Sequence, residues 1–245
     1  MPTATADPAP TSTPTSAEGI RKAFKASVPV LLGYVTIGFG FGLLAVNTGY
    51  PSWLALFMSL FVYAGAAQYI GIGLFAAGAS IPEIVLVTLV ANIRHAAYGL
   101  SLISRYARHP RFRPYLVFAL TDETFALISS QDPKEKDNGL FLLLVSALNQ
   151  AYWVGGTILG AFAGSLAPEK IRGLDFALTA MFIVLTVEQA LKLKRSMPFF
   201  LAAFCALAAK FILGDRLAII GGLAAALVAA FLLDRRMPQE EKPHA

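Results

Sequence analysis

The chain has 245 residues, 56% of them hydrophobic before its 20 glycines are counted, only 14% charged, with a mean hydropathy of +0.63. A soluble domain carries roughly 25% charged residues and roughly 45–50% apolar ones with glycine included, and could not bury this much apolar surface. A soluble enzyme and a disordered chain are excluded, and the fold class expected is all-α: a polytopic membrane bundle of six to eight apolar segments.

Residues 1–19 are rich in Pro, Thr, Ala and Ser and read as a disordered tail. The transport domain is placed at 20–233, with apolar segments at 28–47, 52–77, 82–104, 114–131, 139–164, 173–191, 197–213 and 217–233, and a polar tail at 234–245. No period-2 alternation of a barrel is present. Pro29, Pro51, Pro82, Pro114, Pro168 and Pro198 fall at or near segment starts, where a helix tolerates proline. No cleavable signal is read at the start; the first span serves as its own insertion signal. The single Cys205 lies in an apolar run, which leaves no disulfide framework.

The net charge is +5, and most of the basic residues sit in bursts between segments: Arg21–Lys22–Lys25, Arg105–Arg108–Arg111–Arg113, Lys192–Lys194–Arg195 and Arg235–Arg236. This is a membrane-topology pattern, not a nucleic-acid surface, and it places the termini and the basic loops in the cytoplasm. If every segment crossed, the Arg105–Arg113 loop would fall outside. Segment 52–77, with Ala64–Gly65–Ala66–Ala67 at its middle, is therefore the candidate to re-enter, a lengthened but simple crossing helix being the alternative, and 173–191 is treated likewise. Segments 28–47 and 139–164 then run in opposite directions, the plan of an inverted repeat with broken helices.

Ionisable groups inside spans are costly, roughly 2.5–3.5 kcal/mol each at mid-span, and need a partner or a purpose. Asn92, Arg94 and His95 lie mid-segment, with Asn92 and His95 on one helix face. Arg94 fits a carboxylate, either a substrate's or an intramembrane acid's, and His95 titrates near neutrality or makes a packing hydrogen bond. Asp122 and Glu123 are adjacent acids pointing about 100° apart on a helix: one to pair with Arg94, the other a proton carrier, or both facing a wet vestibule. In Tyr63–Tyr69, an unwound helix at Gly65 would expose backbone groups to substrate, with Gln68 adding a donor and an acceptor; ordinary small-residue packing is the alternative. Gly33, Gly38, Gly40 and Gly42 read as helix packing. Asn149, Gln150, Trp153, Glu188 and Gln189 are further polar or aromatic positions within the second half. HExxH, Walker A and GxSxG motifs are missing, so neither an enzyme, a metal nor a cofactor is expected.

The blocks GYVTIGFGFGLLAVNTGY, MSLFVYAGAAQY, VANIRHAAYGLSL and LTDETFAL, in this order over about residues 20–130, resemble the AzlC family, the large subunits of bacterial branched-chain amino acid exporters. The resemblance implies an inner-membrane permease exporting valine, leucine or isoleucine, energised by proton exchange, beside a small AzlD-type membrane subunit. Gly65, Gln68, Asn92, Arg94, His95, Asp122 and Glu123 fall on the family's motif positions. Tyr63, Gly65, Gln68, Asn92 and Arg94 are assigned to substrate, and Asp122, Glu123 and His95 to proton coupling. The competing classes are a passive channel for small polar solutes and an intramembrane hydrolase.

Overall fold

The computed structural model describes residues 16–132, 138–166, 183, 187 and 197–236, and every regular element among them is an α-helix. In chain order these are α1 (Ser16–Asn47), α2 (Ser52–Phe61), α3 (Gly65–Ala76), α4 (Ile81–Ala107), α5 (Arg113–Phe118), α6 (Asp122–Ser130), α7 (Gly139–Leu166) and α8 (Met197–Arg236). Three stretches, Gly19–Asn47, Ile81–Ala107 and Gly139–Leu166, are long and apolar enough to cross a membrane. At about 1.5 Å per residue each exceeds the roughly 30 Å of a hydrocarbon core. The chain is a helical membrane bundle, with many large apolar side chains, among them Leu32, Leu89 and Phe200, turned outward as lipid-facing surface.

The frame is a seam of glycines. Gly38 and Gly42 of α1 face Gly156 and Gly160 of α7. A Cβ on Gly38 would lie 2.7 Å from the Trp153 carbonyl, one on Gly156 2.5 Å from the Val35 carbonyl, and those on Gly42 and Gly160 would strike the carbonyls of Thr157 and Phe39. Gly164 continues the seam against Leu43 and Val46. Small residues at this spacing let two backbones touch. The paired positions rise together in both helices, so α1 and α7 run parallel.

Of the two courses open to segment 52–77, the chain takes the broken one. Tyr63 has φ 42 and Ala64 is extended, so α2 ends and α3 begins within three residues. The halves are about 15 and 18 Å long, too short to cross singly. Their contacts show that they turn back. Ser59 of α2 bonds Thr157, at the level of Gly42, and Gly65 packs on Trp153, at the level of Gly38. Tyr69 then reaches the Ile37 carbonyl and packs beside Gly40, and Phe75 at the end of α3 packs on Tyr50, just before α2. The hairpin enters from the C-terminal end of α1, reaches mid-bundle and returns to the same face.

The segment 114–131 corrects the sequence reading, which took it for a span. The chain leaves helix at Ala119, Leu120 and Thr121, and Thr121 caps α6 by accepting the Thr124 N–H at 3.2 Å. α5 climbs from the face where α1 starts, bringing Phe118 to Tyr63. α6 descends again: Asp122 meets Arg94 at mid-span, Phe125 stacks on Tyr98 at 4.5 Å, and Leu127 packs with Ala23, Phe141 and Val145 near the start of α1 and α7. This is a second hairpin, entering from the opposite face. With two hairpins instead of one in this stretch, α7 runs parallel to α1, and the opposed directions expected for 28–47 and 139–164 are overturned. The inverted relation lies elsewhere: α1 with its hairpin and α4 with its hairpin are oppositely directed units.

α4 packs Leu102 and Tyr106 with Leu116, Ile128 and Leu142, so its C-terminal end shares a face with the start of α1. Arg21–Lys25 and Arg105–Arg113 thus lie on one side, the arrangement the charge pattern required. Pro51, Pro82 and Pro114 stand at helix starts, but Pro29 is inside α1, which begins at Ser16. α8 breaks at Gly214 (φ 72, ψ 173). A Cβ on Gly222 would sit 2.9 Å from Ala206 Cα, so its halves fold back on each other as the two expected segments 197–213 and 217–233. The expectations for 173–191, including Glu188 and Gln189, for Lys192–Arg195 and for the outer parts of both tails lie outside the described residues.

Candidate functional site

The two hairpin tips meet at the centre of the bundle. Tyr63 of the first packs on Phe118 of the second, with ring centroids 6.3 Å apart. Ala64 provides no side-chain cap for α3, so the amides of Gly65, Ala66 and Ala67 emerge uncapped from a helix end that carries partial positive charge. Trp153 lies across Gly65, where a Cβ would come 2.8 Å from the ring, and meets Tyr34 edge-on at 5.6 Å. Among the described residues, the buried Tyr63 hydroxyl and Trp153 indole nitrogen have no partner at hydrogen-bond distance. Gln150 spans the hairpins: it accepts from the Tyr115 hydroxyl at 2.7 Å and donates at 3.1 Å to the Leu60 carbonyl, one of the acceptors freed where α2 ends.

The charged groups gather on the second tip. Arg94 Nη1 is 2.9 Å from Asp122 Oδ2, with side-chain exposures of 30% and 18%. His95 Nε2 is 3.8 Å from the other oxygen of Asp122, and its Nδ1 lies 3.1 Å from the Asn92 carbonyl. Glu123 turns the other way and accepts from the Tyr34 hydroxyl at 2.7 Å. The two acids occupy the first turn of α6, where the helix end favours negative charge. Behind them Thr124, Thr121 and Asn149 form a hydroxyl and amide chain, with Asn149 Nδ2 2.9 Å from Thr124 Oγ1.

A family model described as AzlC protein matches residues 29–167, a stretch that contains both hairpins and every one of these groups. The chain belongs to the AzlC family. Among AzlC relatives, the branched-chain amino acid transport protein AzlC of Bacillus subtilis is 33% identical over 71% of this chain and 69% of that protein. Inner membrane protein YgaZ of Escherichia coli is 31% identical over 95% of this chain and 96% of its own length. An uncharacterized membrane protein of Helicobacter pylori is 43% identical over 70% of this chain and 76% of that protein. No solved structure matches. Together these place the chain in membrane transport of small molecules.

In this AzlC chain the residues singled out from sequence separate into three groups. Arg94, His95 and Asp122 converge, and one of the two acids pairs with Arg94, as anticipated. Tyr63, Gly65 and Glu123 stand at the tips. Gln68 points away: it is fully buried, and its amide donates to Ser59 Oγ at 3.0 Å, which pairs with Thr157. Asn92 is half-buried and donates to the Thr88 carbonyl of its own helix at 2.8 Å. Tyr34 was missed, since one tyrosine in an apolar run gives no signal. Thr121 and Thr124 carried one: Thr-Asp-Glu-Thr is a helix-start pattern, a capping residue followed by acids in the first turn.

Proposed function

We propose that this AzlC protein exports branched-chain aliphatic amino acids across the inner membrane in exchange for protons, as a large subunit beside a small apolar AzlD-type membrane partner. The observation that carries the reading is the meeting, at mid-bundle, of an uncapped helix N-terminus and an acid from hairpins of opposite entry. A zwitterion needs both. Its carboxylate fits the amides of Gly65, Ala66 and Ala67, with the buried Tyr63 hydroxyl and Trp153 indole N–H as further donors. Its ammonium fits Glu123, which accepts from the neutral Tyr34 phenol, a donor that a cation can displace. Asp122 is held by Arg94 and serves to fix the tip, with His95 within reach as a proton acceptor. The relative named for branched-chain amino acid transport supports the substrate class. Discrimination among aliphatic side chains amounts to roughly 1–3 kcal/mol per methylene, so several such amino acids are accepted.

The test is movement of labelled valine, leucine and isoleucine in membrane vesicles under an imposed pH gradient, with and without the small partner. Gradient-dependent transport that Glu123→Gln reduces at least about a hundredfold is expected, since removal of a fully used charge contact is worth that much. Transport that ignores the gradient removes the proton role, and full activity of Glu123→Gln removes the site.

A further inference from the structure

The Tyr34 phenol oxygen is 2.7 Å from Glu123 Oε2 and 2.6 Å from Thr121 Oγ1. A phenol has one proton to donate, so it serves one of these acceptors at a time. The two have different consequences. Glu123 is the acid assigned above to the substrate ammonium, and the inference rests on that assignment. Thr121 is the cap of α6: it accepts the Thr124 N–H, donates to Thr124 Oγ1 at 3.0 Å, and through Thr124 is joined to Asn149 of α7.

We propose that Tyr34 is a positioning residue that reports the occupancy of Glu123 to the tip of the second hairpin. While Glu123 is ionised and without substrate, its charge-assisted bond, roughly twice as strong as a neutral one, takes the phenol proton. An ammonium or a proton arriving on Glu123 removes that advantage. The phenol then turns its proton to Thr121, and a protonated Glu123 donates its own to the vacated phenol oxygen. No covalent bond is made or broken beyond the arrival of the proton itself. In the second state the donors run in one sequence, Tyr34 to Thr121 to Thr124, and the cap of α6 is fastened between α1 and α7. Among the described residues, the charged and titratable groups around this exchange are Tyr63 of the first hairpin, Tyr115 of α5, and Asp122 with Arg94 and His95 of α4.

The experiment reconstitutes the full chain in vesicles and reads two activities with labelled leucine. One is equilibrium exchange with leucine on both sides. The other is uphill movement driven by a pH gradient. Tyr34→Phe is expected to keep exchange within about threefold of the unmodified protein and to lose at least about tenfold of the driven movement. Thr121→Val should do the same, Thr121→Ser should behave as the unmodified protein, and the Tyr34→Phe/Thr121→Val pair should be no worse than either alone. Driven movement by Tyr34→Phe at the unmodified rate overturns the proposal, as does loss of exchange and driven movement together, which marks a purely structural role. Glu123→Gln separates the two levels. If it transports normally, the site assignment fails and this proposal with it. If it loses transport while Tyr34→Phe is indistinguishable from the unmodified protein, only the role of Tyr34 fails.

Discussion

The two hairpins have similar plans and opposite chemistry. The first is held by neutral groups: Gln68 on Ser59, Ser59 with Thr157, Tyr69 on the Ile37 carbonyl, and Gly65 flat under Trp153. The second is held by charges and hydroxyls: Asp122 on Arg94, Glu123 on Tyr34, and a threonine cap. Neutral contacts of this kind do not respond to a proton or an ion. A charged group can exchange its present donor for a substrate group of opposite charge. Under the proposed function, the difference makes the first hairpin the fixed wall of the site and the second its responsive part.

The strongest attempt to break this contrast is at Arg94. Arg94→Leu leaves Asp122 without its partner, and the loss of folding stability should be on the order of 2–3 kcal/mol, below the value for a fully buried pair because both groups keep some exposure. The Arg94→Leu/Asp122→Leu pair should recover most of that stability in a thermal unfolding assay, yet transport nothing. A double variant that transports would show that the tip keeps its place without the ion pair.

A smaller effect is expected on the neutral side. Gly65→Ala presses a methyl into the Trp153 ring, which has little freedom to withdraw, at a cost of about 1–3 kcal/mol. Trp153→Phe in the same chain should relieve part of it, and unchanged stability of Gly65→Ala would place the indole elsewhere. Smallest of all is Gln68→Leu. Hydrogen bonds between membrane helices average about 0.6 kcal/mol, so unfolding should shift by that order and the pH dependence of transport should not move. If Gln68→Leu folds normally but loses transport, Gln68 touches substrate and the first hairpin is no longer a neutral wall.

The legibility of the hairpins in the sequence follows the same division. The first announced itself through Ala64–Gly65–Ala66–Ala67, where small residues permit a break, and through the basic bursts that demanded one non-crossing segment before Arg105. The second hides in Phe118–Ala119–Leu120–Thr121, an apolar run with neither glycine nor proline, in which tertiary packing decides where the helix stops. Missing it reversed the direction assigned to α7. Of the site, the charged members were visible because charge is rare in a span. Their allotment was not, because adjacent acids in a sequence do not say which turns to Arg94 and which to Tyr34. The orientation of Gln68 depended on Ser59 and Thr157, residues nine and 89 positions away that no local pattern connects.

The glycine seam between α1 and α7 has a consequence for motion. Packed side chains can change rotamer and let two helices slide; backbone resting on backbone has no such slack. These two helices therefore travel as one beam through any transport cycle. Access to the centre from either face has to be made by what leans on that beam.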